Sequence, residues 1–99
     1  MIDAALCKQS PGRHALKGCL SFKTVDRLLR DSAGLFRNSA PLVVDLSGVE
    51  RTDSAGLALL VEWMKMAQRT GKELTFCNMP EQMLEIARTC GLVDVLPLV

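Results

Sequence analysis

The chain has almost no net charge: its 99 residues carry 12 basic and 11 acidic side chains, a balance of +1. That leaves no field able to draw nucleic acid or an anionic membrane surface, and makes another protein the expected partner. Long apolar runs are missing as well. The longest one near a helix is Leu57 to Val61, far below the ~20 residues of a membrane span, so no direct membrane insertion is expected. The opening Met1-Ile2-Asp3-Ala4-Ala5 lacks both the basic stretch and the apolar core of a secretory signal. Cys7, Cys19, Cys77 and Cys90 stand 12, 58 and 13 positions apart, and without a C-x-x-C pair they offer neither zinc nor thioredoxin-type chemistry. They are expected to be reduced and mostly buried. A soluble, cytoplasmic protein with no metal or cofactor is the expectation.

Catalytic signatures are equally sparse. No G-x-x-x-x-G-K-[ST] or G-x-G-x-x-G occurs, so Gly48 and Gly56 do not form a phosphate-binding loop. The nucleophile elbow G-x-S-x-G is absent too, and the one histidine, His14, lies far from the serines of interest on an expected strand. Asp45 and Asp53 flank an expected loop and could form an acid/base or metal pair. The simpler reading has Asp45 ending a strand and Asp53 capping a helix.

What is present is a well-punctuated apolar pattern. With 48% hydrophobic residues, 99 positions support one compact domain spanning residues 1–99. Turn signals at Ser10-Pro11-Gly12, Asn38-Ser39-Ala40-Pro41, Gly71-Lys72, Asn78-Met79-Pro80 and Gly91 divide it. Residues 3–8 and 14–20 read as a hairpin. Val25, Leu28, Leu29 and Phe36 recur at helical spacing, predicting a helix over about 25–36 with Thr24 as N-cap. Leu42 to Leu46 is too apolar to have a wet face and predicts a central strand. A helix starting after Asp53 and running to about Thr70 ends at Gly71, and its core row is Leu57, Leu60, Val61, Met64 and Ala67. Glu73–Cys77 reads as a strand. Pro80 suits the first position of a last helix, whose buried stripe is Met83, Leu84, Ile86, Ala87 and Cys90. Val93 to Leu96 either adds an edge strand or covers the core. The order ββαβαβα implies an α/β fold, a central mixed sheet of about four to five strands with helices packed against it.

The most informative stretch joins the central strand to the second helix. Asp45-Leu46-Ser47-Gly48-Val49 is followed by Asp53-Ser54-Ala55-Gly56-Leu57, which sets a hydroxyl at a positive helix end, where free N–H groups and the dipole favour negative charge. In this block the chain resembles the STAS family of anti-sigma factor antagonists and their relatives, over roughly residues 14–96. The resemblance implies a non-catalytic, partner-binding domain. It also implies that Ser54, which matches the family's regulatory hydroxyl, is a docking or phosphorylation site. Thr52 is a competing acceptor. The small size, the Gly56-Leu57-Ala58-Leu59-Leu60 helix start and the tail Asp94-Val95-Leu96-Pro97 are similar to the STAS subunits of ABC transporters that maintain outer-membrane lipid asymmetry. That likeness implies an ABC transporter ATPase subunit as partner; the alternative is an anti-sigma factor kinase.

Two features bear on where such a partner would sit. Gly56 costs a helix interior up to ~1 kcal/mol relative to Ala and requires a reason, of which close docking is one. Leu59, Trp63 and Met66 form a second apolar row beside the core row. Either Trp63 is tucked under a loop, or the row extends the Ser54 surface into a patch comprising Thr52, Asp53, Ser54, Ala55, Gly56, Leu59, Trp63 and Met66.

Overall fold

Pro11 and Gly12, the latter at φ 78°, turn the chain between two antiparallel strands, β1 (Ala4–Ser10) and β2 (Arg13–Leu20). This hairpin opens the computed structural model, which describes residues 3–99. The first helix, α1 (Phe22–Ser32), starts earlier than its apolar spacing implies, because the cap is Ser21 and not Thr24. Ser21 Oγ accepts from the Lys23 N–H while Thr24 Oγ1 accepts from the Ser21 N–H, a reciprocal capping box. The helix also stops at Ser32, and residues Ala33–Phe36 tighten into a 3-10 turn.

Strand β3 (Leu42–Thr52) is the largest departure from expectation: it runs for 11 residues, and the polar stretch after Leu46 is strand, not loop. It pairs in parallel with β2 on one side and with β4 (Leu74–Cys77) on the other. The β2–β3 register shifts between Ala15 and Lys17, where a Cβ on Gly48 would come within 2.8 Å of Lys17 Cγ. Gly48 therefore relieves crowding at a bulge and makes no chain reversal. The sheet order is β1-β2-β3-β4, four strands with β3 inside, as the apolar run implied.

The second helix, α2 (Ser54–Thr70), ends at Gly71 in the left-handed region, as expected. Its buried row is different from the expected one. Leu57, Leu60 and Ala67 are buried, but Val61 and Met64 are half-buried, whereas Leu59 and Trp63 are 0% and 1% exposed. α1 and the 3-10 turn pack on this side of α2, and Trp63 Nε1 donates to Ser32 Oγ at 2.8 Å. The second apolar row is thus core as far as Trp63.

Helix α3 (Glu81–Thr89) buries Met83 and Ala87. Pro80, at ψ 153°, stays outside as the N-cap, and Cys90 is exposed beyond the last turn. The tail covers the core with Leu96 and meets the sheet edge in an isolated Phe76–Leu98 bridge. The expectation of buried thiols is corrected too: Cys7 and Cys90 are exposed, Cys19 and Cys77 half-buried, and all four are free. Cys7 falls on the sheet face whose Ala5, Lys17 and Ser47 are exposed, and Cys90 follows a short helix; neither position offers cover. Among the described residues no helix is long and apolar enough to cross a membrane.

Candidate functional site

Strand β3 delivers Thr52 directly to the start of α2 with a single residue between them. Asp53 is extended, at φ −120°, and its Oδ1 accepts from the Ala55 N–H at 2.8 Å, satisfying one of the donors a helix start leaves free. Ser54 is then the first helical residue, and it is exposed. Thr52 is 6% exposed; its hydroxyl donates to the Asp53 carbonyl at 3.0 Å and its N–H to Gln82 Oε1 at 3.3 Å. Of the two candidate acceptors, only Ser54 presents a hydroxyl to solvent.

The rest of the expected docking patch lies mostly below the surface. Ala55, Gly56, Leu59 and Trp63 are buried and Met66 is half-buried. Gly56 has an internal reason: a Cβ there would lie 2.0 Å from Thr52 Oγ1 and 3.0 Å from the Leu20 side chain. The close approach that the glycine permits is between α2 and the ends of β2 and β3. An exposed second row on α2 is accordingly withdrawn for Leu59 and Trp63, which are both buried, Trp63 with its indole N–H on Ser32 of α1.

Beside Ser54 opens a cleft of about 710 Å³, lined by Leu20, Ser21, Lys23, Arg51, Thr52 and Asp53 among others. It lies where parallel β2 and β3 end and α1 and α2 begin. Crevices outside the carboxyl ends of parallel strands are the usual binding locations of open α/β sheets. Ser21, Lys23 and Arg51 were not singled out from the sequence. The available signal was topological, and it needed β3 to be read as long.

The polar groups at the other end of the sheet do not reach this place. Asp45 lies within β3, seven strand positions before Thr52, or roughly 20 Å away. It is buried, and a short network holds its carboxyl at about 2. The Ser47 N–H donates at 2.9 Å, Asn78 Nδ2 at 3.2 Å and Arg13 Nη2 at 3.2 Å. That geometry orders the strand and rules out a joint site with Asp53. His14 stands opposite Val44, also far from Ser54; burial and, secondarily, Lys8 keep its ring below its usual pKa. His14 and Asp45 are thus both remote from the Ser54 hydroxyl, and among the described residues no cluster of three or more His, Cys, Asp or Glu is arranged to hold a metal.

Comparison with known proteins identifies the family and the fold. Residues 8–99 match the family model described as "Mlab, STAS domain". The chain is 36% identical over 55 residues to the intermembrane phospholipid transport system binding protein MlaB of Escherichia coli K12, and equally to that of Shigella flexneri. Each match covers 54% of this chain and 57% of the relative, so the chain spans little more than half the length of these curated relatives. In fold it is similar to the unphosphorylated anti-sigma factor antagonist SpoIIAA, with a TM-score of 0.73 at 12% identity over 97% of this chain and 87% of that one. An anti-sigma factor antagonist from Mycobacterium paratuberculosis aligns with a TM-score of 0.73 at 23% identity, covering 99% of this chain and 85% of the other. A chain matched from residue 8 to its last residue by this family model, and carrying this fold, belongs to the STAS family as an MlaB-type domain.

Proposed function

We propose that this chain is a non-catalytic regulator that docks, through Ser54 and the start of α2, on the cytoplasmic ATPase subunit of a phospholipid-transporting ABC transporter. The observation carrying the reading is the exposed Ser54 hydroxyl at a helix start, next to Asp53, which lines an open cleft, and far from the one histidine. The relatives named for phospholipid transport supply the class of partner. Such a protein works at the inner-membrane face through its partner. It acts by binding one conformation of the ATPase more tightly than another, and that difference in affinity caps its effect.

The test is ATP turnover by the purified ATPase and permease with and without this protein. Wild type should change turnover, and alone it should hydrolyse neither ATP nor esters. Ser54→Glu should lose the effect while keeping its fold, since a negative charge is tolerated at a helix N-terminus but is costly in a dry contact. Equal binding by wild type and Ser54→Glu would refute the docking role. Capture of a sigma-regulating kinase that phosphorylates Ser54 would replace the transporter with the anti-sigma pathway.

A further inference from the structure

Three of the four aromatic residues are deep in the core: Phe36, Phe76 and Trp63 are 5%, 0% and 1% exposed. The fourth, Phe22, is 80% exposed. It is the first residue of α1, between Ser21 and Lys23, both of which line the cleft beside Ser54. An aromatic ring in water at that spot does nothing for the fold. The capping of α1 is done by Ser21 and Thr24, and its core contacts by Val25 and Leu28.

The charged side chains that line the cleft are two cations and one carboxylate. Lys23 and Arg51, both exposed, line the cleft and enter no ion pair among the described residues. The acidic group lining the same cleft, Asp53, is already engaged by the Ala55 N–H at the positive end of α2. What faces outward is an exposed aromatic side chain next to Lys23 in the chain, with a second cation, Arg51, lining the same cleft as Lys23. Such a surface is matched by an acidic partner segment with an apolar socket: the ring supplies the buried anchor and the cations the rim.

We infer that Phe22, Lys23 and Arg51 extend the Ser54 surface into a docking site for an acidic segment of the partner ATPase subunit, with Phe22 as its anchor. This rests on the docking reading above and adds its chemistry. Binding of the purified ATPase subunit should fall about thirtyfold or more for Phe22→Ala, with an unchanged melting temperature. Lys23→Gln and Arg51→Gln should lower the association rate and flatten its dependence on salt. Lys23→Arg should bind as wild type. If Ser54→Glu weakens binding while Phe22→Ala and both Gln variants bind as wild type, the anchor is wrong and the docking reading survives. If Phe22→Ala weakens binding but salt dependence is the same in wild type and the Gln variants, the acidic partner is wrong. Absence of any wild-type binding to the ATPase subunit overturns both.

Discussion

Replacing Gly56 with Ala tests whether the glycine serves the interior or a partner. The added methyl would lie 2.0 Å from Thr52 Oγ1 and 3.0 Å from both Cβ and Cδ1 of Leu20. Neither neighbour yields easily: Thr52 and Leu20 are buried, and the Thr52 hydroxyl is tied to the Asp53 carbonyl at 3.0 Å. Overpacking of this kind costs about 1–3 kcal/mol, and an approach of 2.0 Å belongs in the upper part of that range, about 2–3 kcal/mol. Alanine returns up to ~1 kcal/mol of helix propensity, leaving a net loss of about 1–2 kcal/mol. For a domain of this size that is a fall of roughly 5–15 °C in Tm. Urea and thermal melts of Gly56→Ala, Thr52→Ala and the double variant would read it. Because Thr52→Ala removes the nearest atom, Gly56→Ala should be less costly in that background, with a coupling of about 1 kcal/mol. A Gly56→Ala protein as stable as wild type, or an identical cost in both backgrounds, would refute the packing argument. Lost partner binding at unchanged stability would return the glycine to the interface.

Leu59→Ala should destabilise as much as Leu60→Ala, each by about 2–5 kcal/mol in urea melts, since both side chains are 0% exposed. A near-neutral Leu59→Ala would restore that residue to the surface. Ser54→Ala should leave stability within ~0.5 kcal/mol of wild type, because the cap is Asp53. The Asp45 carboxyl, at about 2 in the folded chain against its ordinary 3.8, stabilises the fold above about pH 4 and ceases to do so as pH falls through 2. That contribution is about 2 kcal/mol at most, and Asp45→Asn should flatten the loss of stability between about pH 4 and pH 2. Parallel acid titrations of the two proteins by circular dichroism, indistinguishable in slope, would count against it.

Elements whose signals are local were legible in the sequence: the turn at Pro11-Gly12, the Asp53 cap, the Gly71 stop and, of the expected stripe of α3, Met83 and Ala87, whereas Leu84 and Ile86 are half-buried and Cys90 is exposed. What escaped depended on neighbours distant in the chain. Ser47 to Arg51 read as loop because polar residues and a glycine interrupt the pattern. They extend as strand because β2 lies alongside, and the bulge by Lys17 absorbs Gly48. The side of α2 bearing Leu59 and Trp63 is apolar by either reading; only the packing of α1 decides that it is core. Ser21, not Thr24, caps α1, which makes Phe22 the first helical residue, between the cleft-lining Ser21 and Lys23. The place of Ser54 at the start of α2 was readable because Asp53 caps the helix; its exposure is set by how the helix packs.

Trp63 is the only tryptophan and the chain has no tyrosine, so ultraviolet emission from this protein comes from one place. That place is sealed, 1% exposed, with the indole N–H held by Ser32 where α1 crosses α2. It lies nine residues along the helix from Ser54, roughly 14 Å away. The indole therefore serves as a built-in gauge of the α1–α2 seam: its spectrum shifts when the seam opens and stays constant when a ligand merely settles at the mouth of the cleft. A spectral change in Trp63 on adding a tryptophan-free partner would mean that docking has been felt across the helix pair, turning an optical constant of the domain into a detector of conformational coupling.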